Sequence, residues 1–319
     1  MKAWVWIVIA LAALLLVLFF VLCRTIGSNF VRNLKRRAPG EKFSADIDVS
    51  FYLDGPLPKL AEAGMEYMKT LPHEDVEIKS EDGLKLHATL FPAPDGAPNF
   101  VIGIHGFQSH AWNEFAPHIK FYQSRGFGML LPDDRAHGES EGEYITMGVK
   151  DRRDCIAWAR YLAGRFGKDT RILLHGVSMG GATVLSASGE SDLPPEVKGV
   201  VSDCGFTSPK ASFASQIERL YHIPPEFPVR VCQWYAKHRA GFDFMEARPI
   251  DQVKNTKVPV LFVQGKDDVM VPAFMAEELY EACGSEKKRL LLVEHANPAE
   301  SIALDPEGYR GAICELFGI

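Results

Sequence analysis

Ser178 stands in His175-Gly-Val-Ser-Met-Gly-Gly181, directly after the apolar run Arg171-Ile-Leu-Leu174. A Gly-x-Ser-x-Gly at a strand end is a nucleophile elbow. The chain turns from strand to helix so sharply that small residues must flank the serine, which leaves its Oγ exposed at the sheet edge. Such a serine attacks carbonyl carbon when a neighbouring base takes its proton. Three other segments carry polar groups at the ends of apolar runs: His105-Gly106-Phe107-Gln108, Asp267-Asp268 and His295.

The elements that must position these groups follow from periodicity. Val76–Lys79 and Leu84–Phe91 alternate apolar and polar residues around Asp82-Gly83, which predicts a hairpin. Short apolar runs then recur at Phe100–Ile104, Gly128–Leu131, Ile172–Leu174, Gly199–Val201, Val258–Val263 and Leu290–Val293. Between them, Asn113–Arg125, Gly148–Phe166, Gly180–Ser188 and Ala273–Cys283 show helical spacing. This alternation predicts an α/β protein with a mostly parallel central sheet and helices on both faces. The interval from Val201 to Val258 is too long for a connection and carries its own helical stretches. Thr207 to roughly Met245 is therefore expected to form a helical cap over the site.

The N-terminus is of another kind. Ala3 to Cys23 is a run of 21 residues without a charge, which as a helix spans roughly 30 Å, the thickness of a bilayer core. It exceeds the ~7–15 apolar residues of a cleaved signal and lacks a small-x-small cleavage site. Lys2 precedes it, whereas Arg24, Arg32, Lys35, Arg36 and Arg37 follow. That bias predicts a single-pass anchor in the cell membrane with a cytoplasmic catalytic domain. The basic flank is read as a stop-transfer signal that can also meet anionic headgroups. Expected boundaries are 1–23 for the anchor, 24–74 for a linker and short helix, and 75–319 for the catalytic domain.

Composition narrows the function further. The 319 residues are 47% hydrophobic and 24% charged, with a net charge of −6. No basic field is available for a nucleic-acid backbone, so nucleic acid is not an expected partner. The six cysteines show neither a CxxC pair nor regular spacing, which points away from a disulfide framework or a metal site.

Together these motifs resemble the α/β-hydrolase superfamily, within its serine aminopeptidase-like and monoacylglycerol-lipase-like members, over roughly residues 75–318. The resemblance implies an α/β-hydrolase fold with Ser178 as nucleophile. It implies an oxyanion hole from the backbone N–H groups of Phe107 and Met179, where one donor is worth ~2.7–4 kcal/mol. Asp133 to Ser140 resembles the Asp-x-Arg-Gly-His-Gly-x-Ser loop, with Ala136 in place of a glycine, so His137 is expected to be structural, as is His105. Gly265-Lys-Asp-Asp268-Val-Met-Val-Pro272 resembles Gly-x-x-Asp-x-x-Val-Pro, which selects Asp268 as the acid. Asp267 falls on the variable position, and Asp203 is the second choice.

The base is the irregular member. Relatives carry a histidine followed by a small residue, an acid and a serine after the last strand. Aligning Ala299-Glu300-Ser301 places Pro298 on that histidine, and His295 falls three residues earlier. Proline has no titratable group. Three alternatives follow: a shifted loop lets His295 serve, the base is lost, or another histidine such as His110 or His222 substitutes. The expected function is a membrane-anchored serine hydrolase of an ester or lipid-like acyl substrate through Ser178, His295 and Asp268. Peptidase activity is also implied by the resemblance, whereas no cofactor and no metal are. The rival is a binding protein that kept the elbow and lost the base. A cap that recruits a protein partner is a third reading.

Overall fold

A computed structural model describes residues 3–36 and 55–319. Lys2, Arg37 and the rest of the expected linker through Asp54 lie outside the described residues. Eight strands form one sheet: β1 (Glu74–Lys79), β2 (Lys85–Phe91), β3 (Asn99–Ile104), β4 (Gly128–Pro132), β5 (Arg171–Val177), β6 (Val197–Asp203), β7 (Val260–Gly265) and β8 (Lys288–Val293). Their order is β1-β2-β4-β3-β5-β6-β7-β8. The β1–β2 and β2–β4 pairs are antiparallel and the others parallel.

Alternation along each strand divides the core between the two faces of the sheet, because successive side chains point oppositely. Phe100, Ile102, Ile172, Leu174, Val260 and Phe262 face the helices Asp151–Phe166, Met179–Ser188 and Phe274–Ala282. The intervening Val101, Leu173, Leu261 and Val263 face the helices Ala111–Ser124 and Pro306–Phe317. This is the α/β-hydrolase architecture. Strand order reverses between β3 and β5, and open parallel sheets hold their ligands at such a switch point.

A third apolar cluster lies outside the sheet. The cap contains the helices Pro209–Tyr221 and Glu226–Tyr235, and Phe206, Val229, Cys232, Phe242 and Phe244 pack there against Met179 and Met275. The N-terminal helix runs from Ala3 to Leu34, long and apolar enough to cross a membrane. It does not end at Cys23. Residues 24–34, read from their charges as linker, continue it because Ile26, Phe30 and Leu34 fall on one face and pack into the cap cluster.

Candidate active site

Ser178 occupies the turn between β5 and the helix Met179–Ser188, with φ 54° and ψ −114°. That backbone is unfavourable for a residue with a Cβ and costs about 1–3 kcal/mol. The surroundings impose it. The Ser178 N–H donates to the Asp203 carbonyl at 2.8 Å, and its own carbonyl accepts from Ala182 at 3.0 Å. Two glycines are required by close approach. A Cβ on Gly176 would stand 2.1 Å from the Gly180 carbonyl oxygen, and one on Gly180 would stand 1.9 Å from that of Ile104.

The serine lines a cavity of about 400 Å³. Its wall is mostly apolar, with Leu57, Pro58 and Ala61 from the helix Pro56–Thr70, Phe107, Val177, Met270 and Ile302. Phe107 follows β3 and Met179 follows the serine, on the two sides of the switch point. Neither backbone N–H has an acceptor among the described residues. Met179 is the first residue of its helix, where the N–H groups lack intrahelical partners and favour negative charge.

The turn that follows β3, the expected oxyanion turn, is braced by two buried histidines. His105 donates Nδ1–H to the Gly106 carbonyl at 2.8 Å and accepts the Asp134 N–H at Nε2. His137 donates to the Arg135 carbonyl and accepts the Gln108 N–H at 3.1 Å. Burial depresses their pKa values to about 4 and about 3. Both are neutral props whose nitrogens are already used, in keeping with a structural role.

The acidic residues divide between surface and interior. Asp268 is buried at the end of β7, where Oδ1 accepts the Met270 and Val271 N–H groups at 2.8 and 2.7 Å. Oδ2 accepts from Gln264 at 2.9 Å. Burial pushes its pKa up to about 6. Asp203 lines the cavity itself, accepts the Tyr309 hydroxyl at 2.9 Å, and leaves Oδ1 buried without a partner.

His295 is elsewhere. Its side chain is 87% exposed, and Nδ1 lies 3.4 Å from Asp267, not Asp268. It is not among the residues that line the cavity, whereas Pro298 and Ala299 are. The loop is held in this path by backbone. Asp267 N–H donates to the Ala296 carbonyl at 3.1 Å, and a Cβ on Gly265 would stand 2.2 Å from that same oxygen. Asn297 is tied to Glu300 through both its backbone and side-chain nitrogens. His110 and His222 are also exposed and absent from the wall. The structure thus brings Ser178, Phe107 and Asp203 to one cavity and brings no expected base with them.

Two titratable wall residues escaped the motif reading. Glu114 accepts the Gly106 N–H at 2.6 Å, and burial pushes its pKa up to about 7. His118 is buried with Nδ1 unpartnered, its pKa depressed to about 3 by burial. The legible signal was their i, i+4 spacing on the helix after the oxyanion turn, which puts both on one face. A carboxyl group near 7 can exchange a proton at neutral pH; an imidazole near 3 is a weak base there.

Comparison with known proteins gives the family. Residues 113–299 match the prolyl oligopeptidase family, more than half of the chain. YqkD of Bacillus subtilis is 26% identical over 225 residues, covering 70% of this chain and 73% of that protein. The α/β-hydrolase domain-containing protein WAV2 of Arabidopsis thaliana is 28% identical over 240 residues, covering 70% and 71% respectively. Among solved structures, a Pyrococcus furiosus esterase superimposes with a TM-score of 0.64 at 25% identity, over 79% of this chain and 94% of that one.

Proposed function

Because this chain belongs to the prolyl oligopeptidase family and is a serine hydrolase of the α/β-hydrolase fold, we propose that it cleaves an apolar acyl ester at the membrane through Ser178. One observation carries the reading: a strained serine opens onto a mostly apolar cavity between two unpaired N–H groups. Ser178 attacks the ester carbonyl, and the Phe107 and Met179 N–H groups hold the oxyanion. The alcohol leaves carrying the proton given up by the serine hydroxyl, and water then attacks the acyl-enzyme, returning a proton to the Ser178 oxygen and releasing the acid. The esterase among the similar structures supports an ester over a peptide. The family also contains peptidases, so cleavage of a peptide is the alternative at the same site.

The triad of Ser178, Asp268 and His295 operates only if the loop 294–297 releases Ala296 and turns His295 inward. Without that movement Ser178 works without a histidine base. Oxyanion stabilisation and binding alone sustain ~10³–10⁴-fold catalysis over water. A second reading, an acyl-binding protein without turnover, is favoured by Pro298 on the wall where a base is needed. We place the anchor at 1–23, the catalytic domain at 75–319, its cap at about 207–245, and the domain on the cytoplasmic side.

Hydrolysis of p-nitrophenyl esters by the full chain, beside Ser178→Ala and His295→Ala, tests the proposal. Activity lost in Ser178→Ala supports hydrolysis, and equal loss in His295→Ala supports the mobile-loop triad. Parent activity equal to Ser178→Ala leaves the binding reading.

A further inference from the structure

The N-terminal helix is rigidly joined to the cap. Phe30 meets Phe213 and Phe244 at ring-centroid distances of 5.1 and 5.6 Å, and Leu34 is fully buried. Gly27 is so close to Tyr235 that a Cβ would stand 2.0 Å from its ring. Beyond the helix, Arg36 donates to the Gly138 and Ser140 carbonyls, each at 2.5 Å. Gln108, next to the oxyanion turn, donates to the Asn33 carbonyl at 2.6 Å.

These contacts fix the cap's height along the helix. Phe19 lies 5.6 Å from Phe227, and Gly27 abuts Tyr235. The intervals 19 to 27 and 227 to 235 are equal, so the cap helix Glu226–Tyr235 runs alongside the N-terminal helix in the same direction. The uncharged run ends at Cys23. Phe19 precedes that end by four residues, which is ~6 Å at 1.5 Å per residue. Phe227 lies at the level of Phe19, inside the apolar zone. Beside it in the chain, the turn carries exposed Leu220, Tyr221 and Ile223. Trp234 is exposed about two turns further along, level with the helix beyond Cys23.

Resting on the anchoring reading above, we infer that the cap segment Leu220–Trp234 is a second membrane contact whose occupant is the lipid bilayer. Its tip enters the hydrocarbon, and Trp234 lies at the headgroup boundary. The depth matches the ~5–10 Å reached by interfacial helices, and tryptophan is enriched at that boundary. Leaving these apolar side chains in water next to a helix that is itself in lipid would forgo their transfer from water. The other cap helix, Pro209–Tyr221, gives Leu220 and Tyr221 at its end to this surface and also reaches the site: Gln216 donates to the carbonyls of Val269 and Met270 at 2.9 and 2.7 Å, and Met270 lines the cavity. The bilayer therefore abuts the cap, which packs in one cluster with Met179 and Phe107 beside Ser178, and this suits a substrate delivered from lipid.

The full chain reconstituted in phosphatidylcholine–phosphatidylglycerol vesicles, with phosphatidylcholine spin-labelled near the headgroup in both leaflets, tests this. Trp234 emission is isolated in a Trp4→Phe/Trp6→Phe background by difference from the same chain carrying Trp234→Phe. The expected result is quenching of the Trp234 emission, lost on Ile223→Glu/Phe227→Glu while the chain stays with the vesicles. Unquenched Trp234 in that background, where Trp4 and Trp6 of the parent chain are quenched, overturns the inference and leaves the anchor standing. No quenching at any of the three overturns the anchor and the inference together.

Discussion

Pro298 and Ser178 line the same cavity, and His295, three residues upstream of the proline, does not. The position that could deliver a base carries a ring with no titratable group, and the nearby histidine is turned to solvent.

Pro298→His is expected to raise ester hydrolysis by about 10²–10⁴-fold, the usual contribution of a general base. Adding Asp268→Asn or Asp203→Asn to that variant identifies its acid. Whichever abolishes the gain is the residue that orients the new imidazole. Initial rates with short-chain p-nitrophenyl esters decide the matter, and a rate unchanged by Pro298→His refutes a missing base as the defect.

Two buried carboxyl groups should pull stability down as pH rises through the neutral range. Burial pushes Glu114 and Asp203 up to about 7 from ordinary values of 4.5 and 3.8. Between those limits the folded chain keeps protons that the unfolded chain releases. Their stabilisation is complete below the unfolded values and is lost as pH rises through about 7. Glu114→Gln keeps an acceptor for the Gly106 N–H and removes one titration. It is expected to flatten the decline between about pH 5 and about pH 8, by an order of a few kcal/mol. Denaturant titrations at the two ends measure it, and equal declines in parent and variant would count against buried, protonated Glu114.

Gly180→Ala is expected to destabilise the elbow by at least about 1–3 kcal/mol, the usual cost of overpacking. The added carbon meets the Ile104 carbonyl, which is backbone and cannot swing away. A melting temperature equal to the parent's would contradict the close packing of β3 on the serine turn.

Leu34→Ala removes a buried side chain from the cap cluster and is expected to cost about 2–5 kcal/mol there. Hydrogen exchange over residues 209–235 should quicken while the sheet stays protected. Unchanged cap exchange would mean that the end of the N-terminal helix does not brace the cap.

Several features were legible because they obey local rules. A serine between glycines after an apolar run makes an elbow wherever it occurs, and alternating runs imply a covered parallel sheet. Pro298 at the histidine position was equally plain, since its lack of a titratable group needs no coordinates. The helical continuation past Cys23 was present as the spacing of Ile26, Phe30 and Leu34, but Arg24, Arg32 and Lys35 in and around this stretch read as the start of a linker. Only the cap, as a packing partner, gives that apolar face its meaning.

Other features depend on contacts between residues distant in sequence. Whether His295 reaches the serine is decided by Gly265, whose missing side chain admits the Ala296 carbonyl and pins the loop outward. Glu114 joins the wall because its helix follows the oxyanion turn back across the switch point to the Gly106 N–H. The chain by itself determined the sheet and marked Ser178 as the candidate nucleophile and Pro298 as the residue at the expected base position. Tertiary structure alone decided which acids face the serine and where the histidine points, because burial and pinning arise only when separate strands and loops meet.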